Sequence, residues 1–394
     1  MDTIANDVKK NKWICCQIGA REHYVIPAQL ESTGQLELLI TDYWAEHSRP
    51  ENIRNRLLKN LWGRRNADIP DHKVKSFNLP NLFFEIFSKV SRSSGWDLVM
   101  KRNQWFQNKA VHCLSSLRHA PTHLFSYSYG ARDIFKYAKA RGWVTILGQI
   151  DPGPLEEEIV MKELQKFPEY QSEWRPAPKA YWDNWFEECA LANEIVVNSE
   201  WSRRALLKKE IPDNKIRIQP LHYNAAPEAK LFSRAYPGRF TKDRPLQVLF
   251  LGQIILRKGV ARIVEAARSL AQEPIVFTLA GPVGIHPIPN LHNLNVIGRV
   301  SRSEVNRYYR DADVFLLPTL SDGYALTQLE AFSWKLPIIT TPFCGEVVDH
   351  QHNGFVLANG TSAEIEEILM KILSDTSKLH QWSQNITDFN LKFK

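Results

Sequence analysis

The stretch SDGYALTQLEAFSWKLPIITT, residues 321–341, decides how this chain is to be read. The apolar run VFLL just upstream, residues 314–317, reads as a buried strand, residues 318–323 as a turn, and residues 326–334 as a helix with one apolar stripe. Two carboxylates eight positions apart, Asp322 and Glu330, then fall one just before the helix and one within it. Were both helical they would lie roughly 12 Å apart along the axis, too far to share a proton and suited to the two ends of one elongated ligand. Between them the N–H groups of Gly323, Tyr324, Ala325 and Leu326 are donors without helical partners at a positive helix end. A diphosphate fits such a place, and the spacing points to a nucleotide-sugar site. The pair alone is more simply an N-capping acid and a solvated mid-helix Glu, and the rest of the C-terminal half decides between the two.

The rest of the chain bounds what this stretch belongs to. At 394 residues the sequence exceeds one comfortable core, so two domains of similar size are expected. Its 44% hydrophobic and 24% charged content is that of an ordinary globular protein that folds on its own core. No apolar run approaches the ~20 residues a spanning helix requires. The start, MDTIANDVKKNK, lacks the apolar segment of a secretory signal, so a cytoplasmic location is expected. The five cysteines, Cys15, Cys16, Cys113, Cys189 and Cys344, are odd in number and free of C-x-x-C spacing. They predict reduced thiols in or near the core, with neither a disulfide framework nor a metal site. The net charge of +7 favours acidic partners such as phosphates or anionic lipid. No nucleic-acid recognition module accompanies it, and nucleic acid is not expected as a partner.

Along the chain, strand-like runs alternate with helical patterns. Residues 13–18, 24–30 and 36–40 open as strand, helix and strand. A strand at 123–126, a helix at 131–139, strands at 143–147 and 194–197, and a helix at 202–208 continue the pattern. Residues 224–244, with Pro227, Pro237 and Gly238, lack a sustained apolar period. The second alternation runs through strands 247–251, 275–279, 294–297, 314–317 and 337–340. Its helices include 260–270 and one that Ser301 caps with Glu304 three residues on. The expected fold class is α/β, two Rossmann-like doubly wound domains facing a central cleft, with ligands at the carboxyl ends of the strands. The expected division is an N-terminal, acceptor-side domain over 1–225, a linker over 226–245, a nucleotide-sugar-binding domain over 246–375, and a helical tail over 376–394 packing back on the N-terminal domain. The proline-rich stretch 151–182, with its acidic run Glu156-Glu157-Glu158, breaks the order and reads as a functional loop with short helices or as a surface wrap.

Further fragments carry chemistry. FLGQIILRKG, residues 250–259, places Gly252 at a strand end, where a ligand approaches the main chain, and Arg257 and Lys258 as fixed positive charge before the next helix. Gly281 ends the following strand. Taken in order from Phe250 to Leu357, these fragments resemble the retaining glycosyltransferases of family 4, which have the GT-B fold. The likeness rests on the loop closing in Lys258-Gly259, on Ala280-Gly281, on Ile297-Gly298 with Val300, and on Ala312-Asp313-Val314 leading into Leu317-Pro318. It continues through Asp322-Gly323-Tyr324, Glu330-Ala331-Phe332, Leu336-Pro337-Ile338, Gly345-Glu346 and Asn353-Gly354-Phe355. The N-terminal half matches more loosely, through Asn198-Ser199-Glu200 and residues 211–220.

The resemblance implies a glycosyltransferase moving a sugar from a nucleoside-diphosphate sugar to an unidentified acceptor, with no cofactor and no metal. Lys258 and Asp322 would be catalytic, Lys258 neutralising the diphosphate and Asp322 contacting the hydroxyls of the transferred sugar. Glu330 would hold the ribose, the amides of Gly323 to Leu326 the phosphate oxygens, and Val300 the base. Gly19 would let the N-terminal domain close onto the phosphates. The chain departs from the family's pattern at Asp322, usually Glu, at Gln253, usually Arg, and at Ala325, usually Gly. A histidine frequent after the strand ending near Leu147 is absent, and Gln149 or Asp151 occupies its region. A nucleotide-sugar epimerase of the same architecture and a donor-binding protein without activity stay open as alternatives.

The acceptor is less legible. Between Arg54 and Arg65 stand five basic residues and no acid, interleaved with Leu57, Leu58, Leu61 and Trp62. Such a pattern suits either peripheral contact with an anionic membrane and a lipid-linked acceptor, or a helix with a solvated charged face. Trp174, Tyr181, Trp182 and Trp185 suit sugar rings or simply the core.

Overall fold

The computed structural model describes residues 11–45, 64–91, 93–117, 121–221 and 223–386. Most of the basic stretch 54–65 lies outside the described residues. The chain divides into two compact units. The first holds residues 1–150, 177–196 and 212–217, the second residues 151–176, 197–211 and 218–394. This differs from a single break after residue 225, because the proline-rich stretch and the segment 197–211 pack with the C-terminal part of the chain.

The first unit is built on a sheet whose strands begin as β1 (Trp13–Gln17), β2 (Leu36–Thr41), β3 (Val74–Ser76), β4 (His123–Tyr127) and β5 (Val144–Gln149). A short strand β6 (Gln171–Ser172) stands apart, and β7 (Glu194–Val197) and β8 (Ile216–Ile218) complete the sheet. Its order is β3-β2-β1-β4-β5-β7-β8, with the pairs that flank β1, β2 and β4 parallel. Ile14, Cys15, Cys16, Leu39 and Ile40 are wholly buried, as near-continuous apolar strands covered on both faces require. The expected elements at 13–18, 36–40 and 123–126 are found where periodicity placed them. Two helices were not anticipated, Asn78–Val90 and Gly95–Ser115.

The second unit carries β9 (Leu246–Leu251), β10 (Ile275–Ala280), β12 (Leu294–Gly298), β13 (Val314–Leu317), β14 (Ile338–Thr340) and β15 (Gly354–Val356). The two-residue β11 (Ile285–His286) pairs with β6 in a separate antiparallel ribbon. The main sheet is parallel, in the order β12-β10-β9-β13-β14-β15. That is a doubly wound order whose direction reverses between β9 and β13, the place where such sheets take up ligands. Helices Val260–Ser269 and Ser362–Ser374 pack against each other, the second opened by a capping box of Thr361 and Glu364. The capping box expected at Ser301 and Glu304 is present too. The tail helix Ser377–Asn385, expected on the N-terminal domain, contributes Leu379 and Trp382 to this second core.

The proline-rich stretch is mostly helix. Pro154 occupies the first turn of a helix spanning Pro154–Lys166, where its missing N–H costs nothing. Glu163 of that helix receives two hydrogen bonds from the buried Arg262 guanidinium, at 3.0 and 3.1 Å. Arg262 also donates to the carbonyls of Asn359 and Gly360. All five cysteines are free thiols, four of them buried. Among the described residues no helix is long and apolar enough to cross a membrane.

Candidate functional site

The carboxyl ends of β12, β10, β9 and β13 form one edge of the second sheet, and the expected donor-site residues fall on their loops. Val300 follows β12, Gly281 follows β10, Gly252 to Lys258 follow β9, and Asp322 to Leu326 follow β13. Strands lie about 4.8 Å apart, so four neighbouring ends make a strip about 14 Å long, the scale of an elongated ligand.

Close backbone approaches draw these loops together. Gly281 lies against the main chain of Gly252, where a Cβ would sit 1.7 Å from the Gly252 carbonyl oxygen. Gly259 has φ +73°, and a Cβ there would fall 2.0 Å from the carbonyl oxygen of Pro318 at the end of β13. Only glycine permits both the left-handed backbone and that contact. The N–H of Leu320 donates to the Arg257 carbonyl at 2.9 Å. Lys258, on the β9 side, is thereby placed against Asp322 on the β13 side.

The Lys258 ammonium forms an ion pair with the Asp322 carboxylate. Burial, with the charge of Arg257 beside it, holds Lys258 down to about 7, against the opposing pull of Glu156 and Cys344. Arg257 turns its guanidinium to the Ser321 carbonyl at 2.7 Å and to Glu156 at 3.2 Å. It therefore braces the β13 loop. Glu156 also accepts from the Ser321 hydroxyl at 2.9 Å, and burial raises its pKa although Arg257 opposes the shift.

Segment 197–211 supports the same loop from another direction. The Ser199 hydroxyl donates to the Gly323 carbonyl at 2.6 Å, and the Trp201 indole N–H to the Ser321 hydroxyl at 3.3 Å. Within the loop Ala325 adopts φ 60° and ψ 78°, the left-handed conformation, immediately before the helix Leu326–Ser333. The Asp322 N–H is taken by the Phe343 carbonyl. Among the described residues none accepts from the N–H groups of Gly323, Tyr324, Ala325 or Leu326. Those four donors remain for an anion at the helix end. Further along the helix Glu330 is half-buried and accepts from the Tyr309 hydroxyl at 2.6 Å. Burial, with Glu330 adding to it, pushes the Tyr309 phenol well up, so it stays a donor.

Sequence reading thus placed Lys258, Asp322, the amides and Glu330 on one edge but missed their supports, Glu156, Ser199, Trp201, Ser321 and Tyr309. The acidic run at 156–158 was the one visible sign of Glu156. Gln253 is exposed. Gly19 belongs to the first unit, where it has φ +74° and donates its N–H to Asp42 at 2.7 Å. In that unit Gln149 is buried, donating to the Tyr129 hydroxyl and accepting from the Trp185 indole. Tyr181 and Trp182 join Tyr129 in an aromatic cluster, and Trp185 is core.

Residues 237–389 match the family described as Glycosyl transferases group 1. Over 155 residues the chain is 29% identical to the lipopolysaccharide glucosyltransferase WaaG of Escherichia coli K12, covering 36% of this chain and 41% of that one. It is 27% identical over 155 residues to the capsular polysaccharide biosynthesis glycosyltransferase CapM of Staphylococcus aureus, covering 37% and 38%. The chain spans about two-fifths of the length of such curated relatives. Solved structures match over nearly the whole fold. A crystal structure of WaaG superimposes with TM-score 0.59 at 15% identity, covering 97% of both chains. Anabaena HepE in complex with UDP-glucose gives 0.56 at 14%, covering 95% and 93%. The two doubly wound units are those of the GT-B fold that such solved glycosyltransferases have, and over residues 237–389 the chain is similar to the glycosyl transferases group 1 family.

Proposed function

We propose that the protein is a retaining glycosyltransferase that takes a sugar from a nucleoside-diphosphate sugar. The observation that carries this reading is the convergence of Lys258, Asp322 and four available peptide N–H groups at the switch point of the second sheet, with Glu330 further along the same helix. A diphosphate would lie on the helix-end amides with Lys258 beside it. Asp322 would meet the sugar hydroxyls, Glu330 the ribose and Val300 the base. The bond between the anomeric carbon and the β-phosphate oxygen breaks, and its electron pair leaves on the phosphate. Lys258 and the amides stabilise that growing charge, which in sites of this kind is a large part of catalysis. An acceptor hydroxyl attacks the anomeric carbon on the face the phosphate leaves, and its proton passes to the departing phosphate oxygen. No protein nucleophile is required.

HepE binds UDP-glucose, which favours a UDP-sugar as donor here. Thermal shift against UDP-, GDP- and ADP-sugars tests this, because a ligand that binds the native state alone raises the unfolding midpoint. One nucleotide class is expected to stabilise the chain, and Lys258→Ala to lose turnover by more than ~10²-fold. Incubating the stabilising donor without acceptor separates the alternatives. A transferase slowly releases nucleotide, an epimerase makes a new nucleotide sugar, and a protein that only binds returns the donor unchanged. No stabilisation by any nucleotide sugar, or full turnover in Lys258→Ala, would end this reading.

A further inference from the structure

The first unit has a switch point of its own, and its strained backbone is gathered there. The order of its sheet reverses between β1 and β4, the place where a doubly wound sheet takes up ligands. Among the described residues of this unit, the non-glycine residues with left-handed backbone are Glu22, His23 and Tyr24, after β1, and Tyr129, after β4, with φ of 49°, 52°, 61° and 74°. Side chains avoid that region, and strain kept in a fold concentrates where ligands are held. Tyr129 is fixed at both ends. Its N–H donates to the buried Glu188 carboxylate at 2.7 Å, its hydroxyl accepts from Gln149 at 3.1 Å, and its ring stacks on Tyr181 with centres 4.9 Å apart. From the neighbouring loop Glu22 accepts from the Tyr127 hydroxyl at 3.0 Å.

Two buried polar atoms at the same strand ends lack partners. β1 and β4 pair in parallel with Cys16 opposite Ser126, and Gln17 and Ser128 follow within two residues of that pair. Gln17 is 1% and Ser128 3% exposed. The Gln17 amide nitrogen donates to the Gly19 carbonyl at 2.9 Å, but its Oε1 and the Ser128 Oγ have no hydrogen-bond partner. An unpaired buried polar atom costs stability, and a group that arrives to pair it explains why it is kept. That group is not an anion. Glu188 already takes the N–H groups of Tyr129, Ala131 and Arg132 at 2.7, 2.8 and 3.1 Å, the donors a phosphate would use at the start of the helix Arg132–Lys139. The cations nearby are engaged as well, Arg132 by Asp133 and Asn184 and Arg64 by Asp42, while Arg21 lies over the Tyr127 ring at 5.8 Å. Beside Ser128 stand the half-buried rings of Tyr129, Tyr181 and Trp182, with Trp182 edge-on to both tyrosines. Uncharged hydroxyls and a flat apolar face are what a sugar ring offers to unpaired oxygens and aromatic rings. We propose, resting on the reading of the protein as a glycosyltransferase, that its acceptor is a neutral glycan held at the ends of β1 and β4. Its hydroxyls pair with Gln17 Oε1 and Ser128 Oγ, and its C–H face lies on the aromatic rings.

The test uses the full chain and the methyl glycosides of glucose, galactose, mannose and N-acetylglucosamine, each beside its 6-phosphate, with binding read by saturation-transfer NMR and by titration of tryptophan fluorescence. A neutral glycoside is expected to bind without nucleotide, and its 6-phosphate no more tightly. Ser128→Ala is expected to weaken that glycoside about threefold to tenfold. Its unfolding midpoint should hold or rise, because an unpaired buried hydroxyl has been removed. Tyr181→Leu is expected to weaken the glycoside by a similar factor through loss of the ring face. In both variants the rise in midpoint given by a nucleotide sugar stays that of the parent. The proposal is overturned if no neutral glycoside binds, if a phosphorylated one binds at least ~10-fold more tightly, or if both variants bind as the parent does. A midpoint lowered in Ser128→Ala would show a hydroxyl paired inside the fold, and it rejects the proposal too. Stabilisation by a nucleotide sugar with no glycoside binding rejects this site alone. Glycoside binding with no response to any nucleotide sugar rejects the transferase reading and, with it, the acceptor role.

Discussion

Ala325 is held at φ 60° and ψ 78°, a conformation that costs a residue with a Cβ about 1–2 kcal/mol relative to the right-handed region. Ala325→Gly removes that strain and returns part of the gain through the freer unfolded chain. A net stabilisation of up to about 1 kcal/mol is expected, read as a rise in the thermal midpoint. A fall would mean that the loop before the helix takes another shape in solution. The family resemblance marked Ala325 as a departure from a usual glycine, but the reason for that glycine was not legible, because backbone conformation does not show in side-chain chemistry. Lys258 makes the second prediction at this scale. With its pKa lowered to about 7, the free protein loses the proton as pH rises above 7, and a bound diphosphate restores it. Binding of a nucleoside diphosphate at pH 8 should therefore take up a proton, and affinity should fall by up to tenfold per pH unit between the free and bound values. Calorimetry in buffers of different ionisation enthalpy reads this directly. Without the ligand the sign is separate: the unfolded lysine holds its proton to higher pH, so this group's contribution to stability rises with pH above 7.

Among the elements, the helix Pro154–Lys166 departs furthest from its sequence reading. Five prolines and an acidic run between residues 151 and 182 suggested a loop or a wrap. Yet Pro154 begins the helix, and Glu163 anchors it through the buried Arg262. Proline marks a helix start as well as a loop, and local pattern cannot tell the two apart when the partner stands 99 residues away. Removing one member of a buried pair leaves a charge without compensation, so Glu163→Ala is expected to cost about 3–5 kcal/mol, measured by denaturant unfolding. A loss below about 1 kcal/mol would place the pair with exposed ion pairs. The strands of the second sheet were readable for the opposite reason. β9, β10 and β13 are short apolar runs closed by glycine or proline, and burial on both faces of a parallel sheet writes itself into consecutive residues, whereas the three-residue edge strand β15 was not read. The helix Asn78–Val90 escaped because its apolar stripe is exposed and serves no core, so its amphipathic period was not matched to any strand it might cover.

At the scale of the molecule, the family resemblance and the alternation of strands and helices gave two doubly wound units, and Lys258 and Asp322 could be placed in the second of them. The allotment of chain to each unit was not legible, since it depends on contacts such as Ser199 to Gly323 and Trp201 to Ser321, made between residues about 120 apart. The chain passes from one unit to the other after residues 150, 176, 196, 211 and 217. That threading sets a timetable for biosynthesis. A ribosome adding 5–20 residues each second delivers Glu163 about 5–20 s before Arg262 emerges to meet it. During that interval the acidic helix, and the Ser199 that will later grip the glycine loop, wait in a nascent polypeptide whose second globule has not been made. Early folding must therefore leave these pieces unclaimed while the first globule, all of whose residues precede residue 218, gathers around them.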